Sequence, residues 1–492
     1  MGAREAAGSS QPGRADLPGL DPLPRRVGFW GASAVMLGII IGSGIFRTPP
    51  VIAEQLASPA LILALWVAGG ALALLGALTY AELACMYPES GGVYVFIREG
   101  YGQAMAFVFG WTYLLITKPF AAAGIAVIFG EHLNRLLGTD FDPPLLTCAV
   151  IIALTAVNAW GVRLSTGLAM VLTSLKLGAL VAIVALAWWF GRIGPEALAP
   201  AAAIAPAPAA PGDGAALAGA AEAPSLWLAL VPVMAAILWT YDGWSDVGAI
   251  AGEVKDPRRV LPRIYFTGTA VITLVYVLVN LAYFGVVPIG EMRGMETVAP
   301  TVAERLISGA GVVVTAIVVV STMGSTHGSI MTGARVTFAQ ARDGLMFRFL
   351  GRVAPRRQTP AVALWVQCLL SCVAALGLRE FTQLADGFVF SMWIFYGLAG
   401  GAIFILRVRR PDAPRAYRCW GYPVVPLVFV LAAAAMTVLS ICQRPEMTLR
   451  WLAVLMAGFP VYYLWRRVSP GRADGAITPD QDRPEHPPAG RA

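Results

Sequence analysis

The chain has 492 residues, of which 57% are hydrophobic and only 13% charged, with a mean hydropathy of +0.68. Soluble domains carry about a quarter charged residues, so this composition excludes an ordinary soluble protein and predicts a polytopic membrane protein. The formal charge of +7 fits basic loops on one face of a bilayer better than a nucleic-acid partner.

In chain order, residues 1–26 are polar and hold no apolar segment, which predicts a disordered tail without a cleavable signal peptide. Windows of about 20 apolar residues then predict about twelve spans, at 28–55, 60–85, 103–130, 144–160, 166–190, 226–250, 264–288, 303–335, 360–378, 385–407, 422–442 and 447–465. Residues 27–407 are expected to form a ten-helix core, 408–467 two additional membrane helices, and 468–492 a second disordered tail. The stretch 191–224 is rich in Ala and Pro and reads as a flexible external loop. An even number of spans puts both termini on one side, where most of the 36 Lys and Arg also fall. The positive-inside rule makes that side cytoplasmic, for a multi-pass protein of the cell membrane.

Six cysteines (Cys85, Cys148, Cys368, Cys372, Cys419 and Cys442) are scattered without ligand spacing and read as free thiols. No metal cluster, nucleophile with a base, or phosphate loop stands out. The sequence therefore predicts neither an enzyme nor a metal or cofactor.

Two of the predicted spans are interrupted. The first holds "GIIIGSGIFRTP", in which Gly42, Ser43 and Gly44 break an apolar run. The sixth holds "WTYDGWSDV", broken at Asp242-Gly243 and followed by Ser245 and Asp246. Glycine inside a helix costs roughly 1 kcal/mol relative to alanine, and an unpaired amide in a bilayer costs several more. Two broken helices five spans apart run in opposite directions, the pattern of a five-plus-five inverted repeat with a binding site at the midplane. Unwinding at Gly42–Gly44 frees amides at the start of a half-helix, where the dipole favours an anion. Carbonyls at the end of the preceding half-helix, and near Trp239–Asp242, can accept from an ammonium group. Donors beside acceptors suit a zwitterion.

These residues resemble the amino acid–polyamine–organocation superfamily, and within it the L-type amino acid transporters and their prokaryotic relatives. "IIGSGIF" (Ile40–Phe46) is similar to that family's first-helix substrate motif. "YDGWSDV" with "GEVKDPRRVLPR" resembles its sixth helix and the loop behind it, and "ITKPFAAAGIAVIFGEHL" its third helix. "HGSIMTGARVTFAQARDG" resembles the end of the eighth helix, and "FYGLAGGAIFILRVRRPDAPRAY" the tenth with its exit. The resemblance implies an all-α LeuT-type fold and sodium-independent transport of amino acids by alternating access, as an exchanger or a proton-linked permease. Carried over, it implies that Ser43, Gly44 and Ile45 offer amides to the substrate carboxylate. Ile40, Trp239 and Tyr241 would offer carbonyls to the amine, and Trp239 would close over the substrate as an aromatic lid.

Charges within the spans are costly, at about 2.5–3.5 kcal/mol on insertion scales, so each implies a role or a partner. Lys176, in mid-span, matches the fifth-helix lysine that in sodium-independent members stands in place of a sodium ion and ties the fifth helix to the first. Lys118 precedes Pro119; pairing with a carboxylate such as Asp242 or Asp246 and a contact with the substrate are equally open for it. Asp242, Gly243 and Asp246 lie at the sixth-span break, and Asp246 departs from the neutral residue common in mammalian relatives. That leaves a cationic amino acid or polyamine permease open as a second reading. His327, where the family often has Asn, reads either as a proton-linked group or as a satisfied core histidine. A non-transporting amino acid sensor is a further alternative, disfavoured by tails that carry no signalling domain. The expected partner is a small-molecule substrate, an amino acid whose side chain the sequence does not specify, within the lipid bilayer; no obligatory protein partner is expected, since no cysteine falls near 131–143 for an external linkage.

Overall fold

The computed structural model describes residues 23–198, 226–378, 381–443 and 445–468. Both expected tails, apart from a few residues at their inner ends, and the Ala/Pro-rich loop beyond residue 198 lie outside the described residues. The described chain is helical, with no strand beyond a single bridge between Val27 and Val254. Eleven of its helices are long and apolar enough to cross a membrane. The broken sixth span, whose helical half is shorter, stands beside them.

The first span is α1 (Phe29–Ile40) and α2 (Gly44–Gln55). It is followed by α3 (Pro59–Met86), a short α4 (Val93–Tyr101), and α5 (Gln103–Thr112), which runs through a π-helical turn into α6 (Lys118–Leu137). Next come α7 (Pro143–Trp160), α8 (Val162–Trp189) and α9 (Leu226–Tyr241), the last leading into a 3₁₀ segment, Trp244–Glu253. Then follow α10 (Pro257–Val286), the short α11 (Ile289–Met292) and α12 (Ala299–Leu306), and α13 (Ala310–Arg342). The chain closes with α14 (Ala361–Leu378), α15 (Phe381–Arg409), α16 (Val424–Gln443) and α17 (Pro445–Val468).

The expected spans fall on these helices, with the third and eighth ending later than expected, at Leu137 and Arg342 rather than at 130 and 335. The eighth, expected from residue 303, starts at Ala310, because Gly309 adopts φ +83° and separates α12 from α13. The short α4 was also not anticipated, since nine residues with a basic last turn do not read as a span.

Packing follows the repeat. The two interrupted spans lie antiparallel, α1 against the 3₁₀ segment and α2 against α9, while α3 packs on α10, α6 on α13 and α7 on α14. Each of these pairs joins helices five spans apart. Small residues also let α1 approach α8 of the same half: a side chain at Gly31 would meet Thr166 at 2.7 Å, and one at Gly38 would meet Thr173 at 2.5 Å. Proline supplies a further tie. Pro50 has no N–H to give the Phe46 carbonyl four residues back, and the amide of Val298 takes that carbonyl at 3.2 Å.

Candidate substrate site

The helix of the first span ends at Ile40. Ile41 leaves helical geometry (φ −74°, ψ 74°), and α2 restarts at Gly44 with Ser43 as its N-cap residue. The Ser43 side chain does not cap the helix, and its hydroxyl is buried without a partner. The amides of Gly44 and Ile45 belong to the first turn of α2, which has no carbonyl of its own helix to reach. Glycine is required at 44 on steric grounds: a Cβ there would lie 2.7–2.9 Å from Oγ1, Cγ2 and Cα of Thr240.

The carbonyls released on the other side of the break are held by a cation. Lys176 is fully buried, and its Nζ donates to Gly38 O at 2.6 Å, Ile41 O at 2.7 Å and Ser321 O at 3.0 Å, with Ser325 Oγ also at 3.0 Å. Ser325 and Ser321 hydroxyls reinforce the Ile41 carbonyl from α13 at 3.0 and 3.1 Å. The Ile40 carbonyl accepts from Tyr276 Oη and from the Gly42 amide, each at 2.7 Å.

At the second break Gly243 adopts φ +108°, and a Cβ would strike Ile39 Cγ2 at 2.6 Å. Here side chains carry the charge. Asp246 accepts from Lys118 Nζ through both carboxylate oxygens at 2.7 Å, both residues being buried. Lys118 is presented from the turn after the π-helical stretch Tyr113–Thr117, and its ammonium also lies 5.6 Å from the centre of the Tyr113 ring. Asp242 accepts a 2.6 Å hydrogen bond from Tyr396 Oη, which Ser245 Oγ joins at 3.0 Å.

These elements enclose a central cavity of about 30 Å³. Among the residues singled out from sequence, Ile40, Gly42, Ser43, Gly44, Lys118, Trp239, Asp242 and Asp246 line it. Ile45, Tyr241 and Gly243 lie beside it without lining it; the Tyr241 hydroxyl instead donates to Trp66 O at 3.1 Å. Lys176 stands behind the break, away from the cavity. His327 is fully buried between helices, with Asn158 Nδ2 donating to its Nδ1 at 3.1 Å and its Nε2 donating to Ser165 O at 3.0 Å. It is a satisfied histidine outside the cavity. Sequence reasoning did not single out Ser329, a second cavity-lining hydroxyl that is buried and unpartnered. It also missed Thr240 and Phe388. Trp239 meets Phe388 edge-to-face at 5.0 Å and separates the central cavity from a second one of about 270 Å³, bounded by α2, α9, α15 and α17.

The side bearing the N-terminus is sealed. Val27 N donates to Glu253 O and Lys255 N to Val27 O, both at 2.9 Å, and Glu253 pairs with Arg335 at 2.9 Å with neither side chain exposed. This pair also escaped sequence reasoning: Glu253 falls in the loop behind the sixth span and Arg335 at the end of the expected eighth, 82 residues apart. On the opposite side, the tie from α2 to α6 is the part-exposed pair Arg47–Glu131 at 2.8 Å. No group of residues suited to a metal ion occurs among the described residues.

The amino acid permease family matches residues 27–462. The chain belongs to that family and is a membrane transporter of amino acids, not an enzyme. Its relatives include the b(0,+)-type amino acid transporter 1 of Mus musculus, 29% identical over 90% of this chain and 88% of the relative. The Asc-type amino acid transporter 1 of Mus musculus is 31% identical over 90% of this chain and 82% of its own length. The large neutral amino acids transporter small subunit 2 of Rattus norvegicus is 30% identical over 90% and 81%.

Proposed function

We propose that this chain carries L-amino acids across the cell membrane without sodium, by alternating access, with both termini in the cytoplasm. The observation that carries the reading is the first-span break. The free amides of α2 and the unpartnered hydroxyls of Ser43 and Ser329 face the cavity on one side, and the Lys176 ammonium fills the cluster of carbonyls on the other. A buried unpartnered hydroxyl costs about 1–3 kcal/mol, which an entering substrate carboxylate relieves. A fixed ammonium among three carbonyls already supplies the charge that a sodium ion would bring.

The substrate amine is then held at the carbonyl edge of the two breaks and by Asp242. Because the Ile40 carbonyl already accepts two bonds, the amine relies on the sixth-span residues more than on Ile40. Asp242 accepts from the neutral hydroxyl of Tyr396, whereas Asp246 is compensated by Lys118. This supports acceptance of cationic as well as neutral side chains. The rat relative is named a small subunit. For this chain we propose transport without a second subunit, since the α6–α7 connection holds no cysteine and Cys148 lies within α7.

Uptake by proteoliposomes of the purified chain tests the proposal. Labelled amino acid should accumulate equally in sodium and in choline media, and unlabelled amino acid should compete while its decarboxylated amine and methyl ester compete far less. Strict sodium dependence, or equal competition by all three compounds, overturns it.

A further inference from the structure

Apart from the transport pathway, a cleft of about 320 Å³ opens where the segment leading into α1 meets the start of α8. Arg26 lines it from the first element and Arg163 from the second. Both are exposed, and among the described residues neither takes part in an ion pair. Two guanidiniums without an anionic partner lining one cleft attract a phosphate group, which either can bind through its planar fork of N–H donors.

The surroundings define what carries that phosphate. Val162, at the first position of α8, also lines the cleft, and its N-cap residue Gly161 brings no side chain to satisfy the first amides, so the positive end of a 28-residue helix faces the same place. Trp30 projects from the rim, 77% exposed, as aromatic residues do at a membrane–water boundary. One turn further along α8 the wall becomes Gly167 and Met170, and the neighbouring Leu164 and Val171 are exposed on a helix that spans the bilayer. A charged mouth at the interface that continues into an apolar wall fits a molecule with a phosphate head and an acyl tail.

We propose that this cleft binds the headgroup of an anionic phospholipid in the leaflet on the N-terminal side. The leaflet's identity as the inner one, where anionic lipids concentrate, rests on the orientation given under the proposed function. The site also has a consequence for opening. Val27 lines the cleft and is the residue whose backbone pairs with Glu253 and Lys255 to seal that side. A bound headgroup bridging Arg26 to Arg163 holds this strap onto α8, so anionic lipid favours the closed state of the N-terminal side.

The test uses the full chain purified in detergent and in nanodiscs. Native mass spectrometry measures retained phosphatidylglycerol against phosphatidylcholine in the wild type and in R26Q/R163Q. Hydrogen exchange over residues 24–31 is compared in nanodiscs with and without phosphatidylglycerol. The wild type is expected to retain the anionic lipid roughly thirtyfold better than the double variant, a factor appropriate to two basic residues at a charged surface. Phosphatidylglycerol should slow exchange of the strap in the wild type alone. Equal retention by both proteins overturns the site. So does protection of the strap by inorganic phosphate equal to that by the lipid, which marks a free-anion site. Neither readout needs transport, so a wild type that retains the lipid but fails the uptake assay overturns the functional reading and leaves this one standing.

Discussion

The two breaks that build the site solve the same problem by opposite means. At the first, the groups that the break releases are backbone amides and carbonyls beside the unpartnered Ser43 hydroxyl, and a single lysine from α8 occupies carbonyls from behind. At the second, the break brings two carboxylates to the cavity, and their partners, Lys118 from α6 and Tyr396 from α15, reach them from different helices. The first arrangement is fixed: Lys176 does not touch the cavity, and a substrate cannot change its contacts. The second is adjustable, because Lys118, Asp242 and Asp246 all line the cavity. Damage at the first break should therefore act on transport of every substrate alike, and damage at the second should change which substrates are accepted.

The largest effect is expected from Gly44→Val. A Cβ there already falls within 2.9 Å of the Thr240 backbone, and valine adds two methyl groups that force α2 away from α9 where both line the cavity. Uptake should vanish for every amino acid while the protein still inserts and purifies as a monodisperse species, checked by size-exclusion chromatography. Retained uptake would remove the first break from the site.

Next comes Lys176→Ala. It removes the amine from the Gly38, Ile41 and Ser321 carbonyls, leaves the first two to the Ser325 and Ser321 hydroxyls alone, and opens a cavity behind the break. Initial uptake rates should fall roughly tenfold or more, by a similar factor for neutral and cationic substrates. A change confined to one substrate class would contradict the separation drawn between the breaks.

The Lys118–Asp246 pair sharpens the other half of the comparison. Removing one partner of a buried pair leaves an uncompensated charge, at about 3–5 kcal/mol, whereas removing both is often far milder. Lys118→Met and Asp246→Asn should each lower thermal stability and uptake, and the double variant should recover part of both. Competition profiles of the double variant should shift between lysine and leucine, because the cavity wall loses a charged pair. Additive losses with an unchanged profile would make the pair purely structural.

How much of this was legible depended on whether a residue announces itself without its neighbours. Gly42–Gly44 and Asp242-Gly243 stand out because small or charged residues interrupt apolar runs, and Lys176 because a mid-span charge is costly. Lys118 stood out equally, but its partner did not, since choosing between Asp242 and Asp246 requires the rotation of α6 against the 3₁₀ segment. That segment is not an α-helix, so the four-residue spacing of the two aspartates could not be converted into a shared face. Ser329 was hidden among the small polar residues of "GSTHGS", where only three-dimensional facing distinguishes a cavity hydroxyl from one that bonds its own helix. The Glu253–Arg335 seal and the Glu82 cluster, in which Arg407 at 2.6 Å and Arg415 at 3.1 Å converge on one buried carboxylate, join residues too distant in sequence for any spacing to reveal.

The smallest effect is expected at His327, and it tests whether charge outside the two breaks takes part in transport. Its ring accepts from Asn158 and donates to Ser165, linking α13 to α7 and to the start of α8, and no carboxylate contacts it among the described residues. Both nitrogens are therefore used by a single neutral tautomer, and a second proton would meet the Asn158 amide donor. Asparagine can reproduce one donor and one acceptor in a smaller volume, so His327→Asn should lower stability by about 1 kcal/mol through lost packing and one weakened hydrogen bond. Uptake should stay within about twofold of wild type across pH 5–8, with an unchanged profile. If wild-type uptake varies with pH and this variant flattens the curve while staying active, the histidine carries a proton during transport, and the division of labour between the two breaks must be extended to a third position.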